Sequence, residues 1–158
     1  MLEPECAFAD VFDMMDLGEE YIKYCISYAL KNNMEDLLYF QKTIDRKLIE
    51  RLTKLCEEPF KRITYTEAVE ILQSELKRKK KRPKFEFPVE WGLELHAEHE
   101  RYLTEVYFRK AVMVTGYPKK IKAFYMRQND DGKTVAALDV LVPKVELELD
   151  LNNDYITD

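Results

Sequence analysis

The sequence predicts an α+β fold in which helices come first and an antiparallel sheet follows. Up to about residue 106, apolar residues recur at helical spacing, whereas short runs of β-branched and aromatic residues separated by turn signals follow from residue 112. Strands that are segregated from helices are typical of an antiparallel sheet flanked by helices. A length of 158 residues favours a single domain with a sizeable hydrophobic core.

Two long helices are expected near the beginning of the chain, after a short segment at 3–9 that is interpreted as a strand. Apolar residues recur at helical spacing within 13–33 and again within 37–57, and Pro59 ends the second pattern. Neither helix can bury its apolar stripe alone. We therefore expect the two helices to pack on each other.

Two shorter helices are expected next. Residues 64–67 read Thr-Tyr-Thr-Glu, a capping-box pattern that predicts the start of a third helix, and 95–106 fits a fourth. A run of consecutive basic residues at 77–82 follows the third helix. Because cations suit the C-terminal end of a helix dipole, a solvated helix end is the favoured interpretation; phosphate contact and an import signal are alternatives.

Antiparallel strands are predicted in the following part of the chain. Residues 112–114 and 121–127 have the β-branched and aromatic composition of strands, with a turn at 116–118 between them. Residues 129–132 read Asn-Asp-Asp-Gly, a hairpin-turn sequence, and 134–142 is the returning strand.

The composition excludes several classes of protein. A hydrophobic content of 46% with 12% aromatic residues argues against a disordered chain, and a net charge of −5 argues against a general polyanion binder. The 3 cysteines, widely spaced and without a CxxC motif, indicate neither a disulfide framework nor a zinc site and favour reduced thiols. No apolar run approaches the roughly 18 residues of a membrane-spanning helix, and no secretory signal is seen at the start. A cytoplasmic location without membrane contact is expected.

Asp139 is the carboxylate most directly marked as a candidate site residue. It lies in the predicted strand 134–142, where both faces are otherwise apolar. A buried carboxylate without a partner is costly, so a cation or a hydrogen-bond donor should lie close to it. Two interpretations remain open. Asp139 could be a ligand for a metal or an amine, or it could pair with a Lys or Arg of a neighbouring strand, such as Arg127.

Two further groups of residues are weaker candidates. Glu3 and Glu5 would share one face of a strand and could hold a cation, an amine or an amide; an exposed acidic N-terminus is the alternative. His96 and His99 lie three residues apart but form neither zinc-protease motif. A solvated or capping role is the favoured interpretation of both histidines.

Segments along most of the chain match one known family. They are EPECAFAD at 3–10, TYTEA at 64–68, WGLELHAEHERYLTE at 91–105, YPKKIKAFYMR at 117–127 and NDDGKTVAALDVLVP at 129–143. Together they resemble the asparaginyl-tRNA synthetases, which are class II aminoacyl-tRNA synthetases. The resemblance covers residues 1–143, whereas 144–158 diverge and are expected to form a disordered tail.

The resemblance implies a catalytic core with an antiparallel sheet flanked by helices. Such an enzyme activates asparagine with ATP and Mg²⁺, transfers it to tRNA-Asn and forms a homodimer. Asp139 is then implied as a ligand of magnesium and ATP, with Glu146 as its partner, because Mg²⁺ prefers oxygen ligands. The same resemblance makes Glu3 and Glu5 candidates for asparagine recognition and places Tyr125 and Lys122 beside that pocket.

The departures from the family pattern matter equally. After Pro143 the family continues with the motif 3 sequence GxGEIxGGSQRE, whereas this chain reads KVELELD at 144–150. Motif 1, the first part of motif 2 and the anticodon domain have no counterpart in the sequence. The resemblance therefore implies a central part of the catalytic domain of an asparagine–tRNA ligase, from the cytoplasmic or the organellar branch, that is inactive alone. A non-catalytic truncated paralogue acting as an interaction module is the alternative, and an aspartate-activating amide synthetase is a third, less favoured one.

Overall fold

The computed structural model describes residues 6–78 and 83–144, together with the backbone of 149–151. The elements follow one another along the chain as α1 (Val11–Asn32), α2 (Met34–Thr43), α3 (Leu48–Glu57), β1 (Lys61–Thr64), α4 (Tyr65–Leu76), α5 (Ala97–Arg101), a π-helical segment (Tyr102–Tyr107), β2 (Val112–Pro118), β3 (Thr134–Leu141) and β4 (Leu149–Leu151). The α+β class expected from the sequence is confirmed. None of the helices in the described part of the chain could cross a membrane.

The chain divides into two compact units, Asp16–Phe60 and the remainder. In the unit Asp16–Phe60, the expected helix over 37–57 is wrong, since α2 and α3 are separate helices. Asp45 explains the break between them. Its carboxylate accepts a hydrogen bond from the backbone N–H of Lys47 (3.0 Å) and pairs with Arg51. A short polar side chain that binds nearby backbone in this way competes with helix continuation.

Helix α1 packs against α3, as expected from their apolar stripes. Ile22 of α1 and Leu55 of α3 are buried. The hydroxyl of Ser27 lies 3.4 Å from Sγ of Cys56, so the two helices are in direct side-chain contact. Phe60, which follows α3, is buried too. The Lys23 ammonium lies over its ring, 5.4 Å from the ring centre.

The second unit is built on a four-stranded sheet in the order β1-β2-β3-β4. The sheet is mixed rather than fully antiparallel, because β1 runs parallel to β2 while the other neighbours are antiparallel. A parallel pair needs a long crossover, and α4 and α5 lie within it. Strand β1 was not expected, since it has only 4 residues and a single buried one, Ile63.

The predicted strand at 121–127 is wrong. Strand β2 runs through the predicted turn at 116–118 and pairs with β3 along this length. A bulge at Gly116, where φ is +70°, shifts the register of the pairing. The intervening segment 119–133 is a loop. It retains the predicted turn, in which the Gly132 N–H donates to the Asn129 carbonyl (3.0 Å).

The two ends of the chain also differ from the expectation. Residues 6–9, within the segment interpreted as a strand, form an irregular turn, with Phe8 at φ of +62°. Residues Leu149–Leu151, within the tail for which no order was expected, form β4 through backbone pairing with Leu138, Asp139 and Val140. The remaining tail residues from 145 onward lie outside the described part of the chain.

The core of this unit lies between the sheet and α4. The predicted capping box is confirmed, since Thr64 and Glu67 bind each other's backbone N–H groups at 3.1 and 2.7 Å. One cluster of buried side chains joins α4 to the sheet; its members include Tyr65, Ala68, Val69, Leu72, Val112, Val114, Ala137 and Leu141. The opposite face of the sheet is buried as well, at Met113, Leu138 and Val140.

Candidate functional site

Asp139 lies on the face of β3 that is turned toward the core. It is two residues from both Ala137 and Leu141, which belong to the core cluster, and its strand partner is Val114. Only 7% of the residue is exposed. Its two carboxylate oxygens lie 3.2 and 3.1 Å from Nζ of Lys122. The expected partner cation is therefore present, and it is Lys122 of the loop rather than Arg127.

The ion pair lines a cavity of about 170 Å³. The other lining residues are Glu94, Leu95, Glu100, Tyr117 and Ile121. Lys122 contacts two of the walls at once, because its Nζ also lies 4.3 Å from the ring centre of Tyr117. An ammonium over an aromatic face is attracted by the ring quadrupole. The cavity thus presents carboxylates, one ammonium and an aromatic ring within a small space.

Tyr65 holds in place the segment that carries Glu94. Tyr65 is fully buried at the start of α4. Its hydroxyl accepts a hydrogen bond from the Gly92 N–H (2.9 Å) and donates one to the Leu93 carbonyl (2.6 Å). Its ring lies 5.3 Å from that of Tyr117, centre to centre. Burial raises the pKa of the Tyr65 hydroxyl above its usual value, so the neutral phenol persists. The capping-box helix is therefore linked directly to the cavity wall.

His99 fixes the start of α5, next to the cavity residue Glu100. The backbone N–H of His96 donates to Nδ1 of His99 (3.2 Å), and Nε2 of the same ring faces the Phe87 carbonyl at 3.4 Å. His99 is fully buried, so the capping interpretation is confirmed and the solvated one is wrong for this residue. Glu98 accepts hydrogen bonds from the N–H groups of Glu86 and Phe87, at 3.0 and 2.8 Å, which attaches the preceding loop to α5.

Stability should fall when His99 is protonated. Burial lowers the pKa of His99 below its usual 6.5, outweighing the hydrogen bond to the Phe87 carbonyl and the nearby Glu98 carboxylate, which both raise this pKa. The unfolded chain then binds this proton more readily than the folded chain, so the free energy of unfolding is lost as pH falls below about 6.5. Urea unfolding at several pH values between neutral and mildly acidic will show this loss.

The variant His99→Asn is the matched test of that pH dependence. Its side-chain oxygen can replace Nδ1 as the acceptor for the His96 N–H, but it does not titrate. We expect a flatter pH profile in His99→Asn, whereas His96→Gln, which keeps His99, should retain the slope. An unchanged slope in His99→Asn would assign the pH dependence to other groups.

Comparison with known proteins places the chain in a family. A family model described as "tRNA synthetases class II (D, K and N)" matches residues 1–149. The chain belongs to this class II tRNA synthetase family. Among curated relatives, the asparagine–tRNA ligases of Porphyromonas gingivalis and Desulfitobacterium hafniense are 52% and 56% identical over 145 residues. The match covers 92% of this chain and 30% of each relative, so the chain spans about a third of their length.

Solved structures of class II synthetases agree with this assignment. The asparaginyl-tRNA synthetase of Pyrococcus horikoshii matches with a TM-score of 0.70 at 36% identity, over 88% of this chain and 29% of that one. The aspartyl-tRNA synthetase of Entamoeba histolytica matches with a TM-score of 0.63 at 18% identity, over 85% of this chain and 25% of that one. The second similarity concerns the fold alone.

The predicted site residues of this class II synthetase are brought together only in part. Lys122 and Asp139 are in contact, but Lys122 lies on a loop and not on the expected strand. Tyr125 is 54% exposed and does not line the cavity with them. Glu3, Glu5 and Glu146 lie outside the described residues.

The two glutamates and the tyrosine of the cavity, Glu94, Glu100 and Tyr117, were not among the site residues predicted from the sequence. All lie within segments that carry the family resemblance, at 91–105 and 117–127. Glu94 and Glu100 could have been found from their position as charged residues inside a segment that matches the family. Periodicity could not supply it, because these glutamates look like ordinary solvent-facing residues of a helix and its approach.

The described residues do not fit a magnesium site. Nowhere in 6–78 or 83–144 do three His, Cys, Asp or Glu side chains come close enough together to hold a metal ion. Asp139, the implied ligand that lies within the described residues, has both oxygens within hydrogen-bonding distance of the Lys122 ammonium. An ammonium in that position repels a divalent cation that approaches the same carboxylate.

Proposed function

We propose that this chain supplies the central part of the catalytic domain of an asparagine–tRNA ligase. The observation that carries the proposal is the 145-residue match, at 52–56% identity, to curated asparagine–tRNA ligases. The reaction would be the ATP-dependent activation of asparagine and its transfer to tRNA-Asn. The substrates would be asparagine, ATP with Mg²⁺, and tRNA-Asn, and the complete enzyme would be a homodimer.

The chemistry of the cavity supports an amino acid as its ligand. A free amino acid carries an ammonium and a carboxylate, and asparagine adds an amide. The carboxylates of Glu94 and Glu100 suit an ammonium or the N–H groups of an amide, while Lys122 suits a carboxylate. Charge-assisted hydrogen bonds of this kind give both affinity and orientation. We therefore assign asparagine recognition to the cavity beside Asp139.

A hybrid enzyme tests the proposal. Residues 1–143 of this chain would replace the matching segment of the Desulfitobacterium hafniense ligase, which is 56% identical. We expect the hybrid to charge tRNA-Asn with asparagine and to discriminate against aspartate. A folded hybrid that charges no tRNA would contradict the proposal. The unmodified ligase is the positive control.

A non-catalytic interaction module is the second candidate for the chain on its own. One observation favours it, because Lys122 already neutralises the Asp139 carboxylate. The two candidate functions differ in how the isolated chain acts on substrates. ATP binding and pyrophosphate exchange by the isolated chain measure this difference.

The isolated chain should bind ATP only weakly. Three of the side chains lining the cavity are carboxylates and one is an ammonium, so the cavity repels a triphosphate. We expect a Kd weaker than about 1 mM, which corresponds to less than about 4 kcal/mol of binding free energy. Isothermal titration calorimetry measures it, with the hybrid enzyme as the positive control. Micromolar affinity would contradict this description of the cavity.

A further inference from the structure

The Lys122 ammonium is held at Asp139 from two directions. Its Nζ lies 3.1–3.2 Å from both carboxylate oxygens and 4.3 Å from the centre of the Tyr117 ring. The side chains of Lys122 and Asp139 are only 18% and 10% exposed. Because water has little access to the pair, its electrostatic attraction is screened less than that of a surface ion pair. The carboxylate is therefore neutralised within the fold itself.

This arrangement opposes metal binding at Asp139. A divalent cation would approach a positive charge that already contacts both carboxylate oxygens. Two like charges at such a distance disfavour each other, and this penalty grows with burial. A metal therefore binds Asp139 tightly only if the ammonium leaves.

The location of Lys122 allows the ammonium to leave without unfolding the sheet. Lys122 lies on the loop 119–133, outside the regular elements, whereas Asp139 lies within β3. The lysine side chain has a flexible four-carbon stem. A rotation of this side chain would expose the carboxylate while the backbone of both residues stays in place.

We propose that Lys122 is a built-in counter-ion of Asp139 that keeps divalent cations away from this carboxylate until the ammonium is displaced. The inference refines the proposed function by adding control at the same site and to that extent rests on it. Its test measures metal binding alone, so it can fail while the ligase assignment holds, and the reverse.

The test measures Mn²⁺ binding to the full chain. Binding is monitored through the electron paramagnetic resonance signal of the free ion. The key variant is Lys122→Gln, whose amide can still donate a hydrogen bond to Asp139 but carries no charge. We expect Lys122→Gln to bind Mn²⁺ roughly tenfold more tightly than the wild-type chain, or more, since like-charge contacts cost several kcal/mol. Adding Asp139→Asn to Lys122→Gln should abolish the gain.

Matched controls separate this effect from net charge. Lys120→Gln changes the net charge equally in the same loop, at an exposed side chain, and should leave Mn²⁺ affinity unchanged. The single variant Asp139→Asn should bind Mn²⁺ as weakly as the wild-type chain. If the wild-type chain binds Mn²⁺ more tightly than Asp139→Asn, the proposal is overturned. Equal affinities of folded Lys122→Gln and wild-type chains would overturn it as well.

A second measurement covers the case in which Lys122→Gln does not fold. The ¹³C resonance of the Asp139 carboxyl group can be followed in the wild-type chain during titration with millimolar Mg²⁺. We expect no saturating shift, because the ammonium contacts both oxygens and repels the cation. A saturating shift would show that magnesium reaches the carboxylate past Lys122 and would contradict the proposal.

Discussion

The chain on its own will not catalyse the asparagine-dependent exchange of pyrophosphate into ATP. Adenylate formation concentrates negative charge at the reacting phosphate, and enzymes stabilise it with donors fixed in advance. Lys122 is the one cationic side chain among the residues that line the cavity, and Asp139 already binds it. Loss of a single such donor lowers the rate by roughly 10²–10³-fold. We expect a deficit of at least that size relative to a full-length relative.

The exchange assay is run with the chain and the hybrid side by side. Radiolabelled pyrophosphate entering ATP is counted with and without asparagine, at equal protein concentrations. Exchange by the chain at a rate near that of the hybrid would contradict the prediction. It would identify the described cavity as a complete adenylation site.

Removal of the Lys122 charge should destabilise the fold strongly. The variant Lys122→Met leaves the Asp139 carboxylate buried among apolar core residues without its partner. Breaking a buried ion pair in this way costs about 3–5 kcal/mol. Urea unfolding of the wild-type chain and of Lys122→Met gives the difference in free energy of unfolding.

The double variant Lys122→Met/Asp139→Leu is the control for this prediction. Replacing both partners of a buried ion pair by apolar residues is often neutral or stabilising, so it should recover most of the lost stability. Ala137 and Leu141 already provide apolar neighbours for the new side chain on β3. A loss of less than about 1 kcal/mol in the free energy of unfolding of Lys122→Met would contradict the prediction, because an ion pair at an exposed surface contributes that little.

The helical part of the fold could be predicted well because its signals are local. The apolar period within 13–33 and the capping box at 64–67 correspond to α1 and α4. The break between α2 and α3 escaped prediction because the apolar period continues through it. It depends on the Asp45 carboxylate, which binds the backbone of Lys47 and the side chain of Arg51.

The sheet was harder to predict because its pairing is set by distant segments. Residues 121–127 are rich in aromatic and branched residues, yet they form a loop, since β2 continues past Gly116 and occupies the edge of β3. The burial of Asp139 and its need for a cation followed from the apolar strand around it. Which cation fills that role could not follow, because it depends on the path of the loop that carries Lys122 and not on strand register.

The remaining walls of the cavity depend on tertiary structure alone. Glu94 reaches the cavity because Tyr65 holds the preceding backbone at Gly92 and Leu93. Glu100 reaches it because the buried ring of His99 fixes the start of α5. Neither arrangement leaves a periodic pattern in the sequence.

The proposed site for asparagine is the cavity beside Asp139. The most direct measurement is the KM for asparagine in pyrophosphate exchange by the hybrid enzyme carrying Glu94→Gln, with the exposed, non-lining Glu90→Gln as the matched control. A hydrogen bond to a charged group contributes about 1.5–3 kcal/mol. We therefore predict that Glu94→Gln raises the KM roughly tenfold or more with kcat largely retained, and that Glu90→Gln changes neither. Unchanged kinetics in Glu94→Gln would place asparagine elsewhere and contradict the claim.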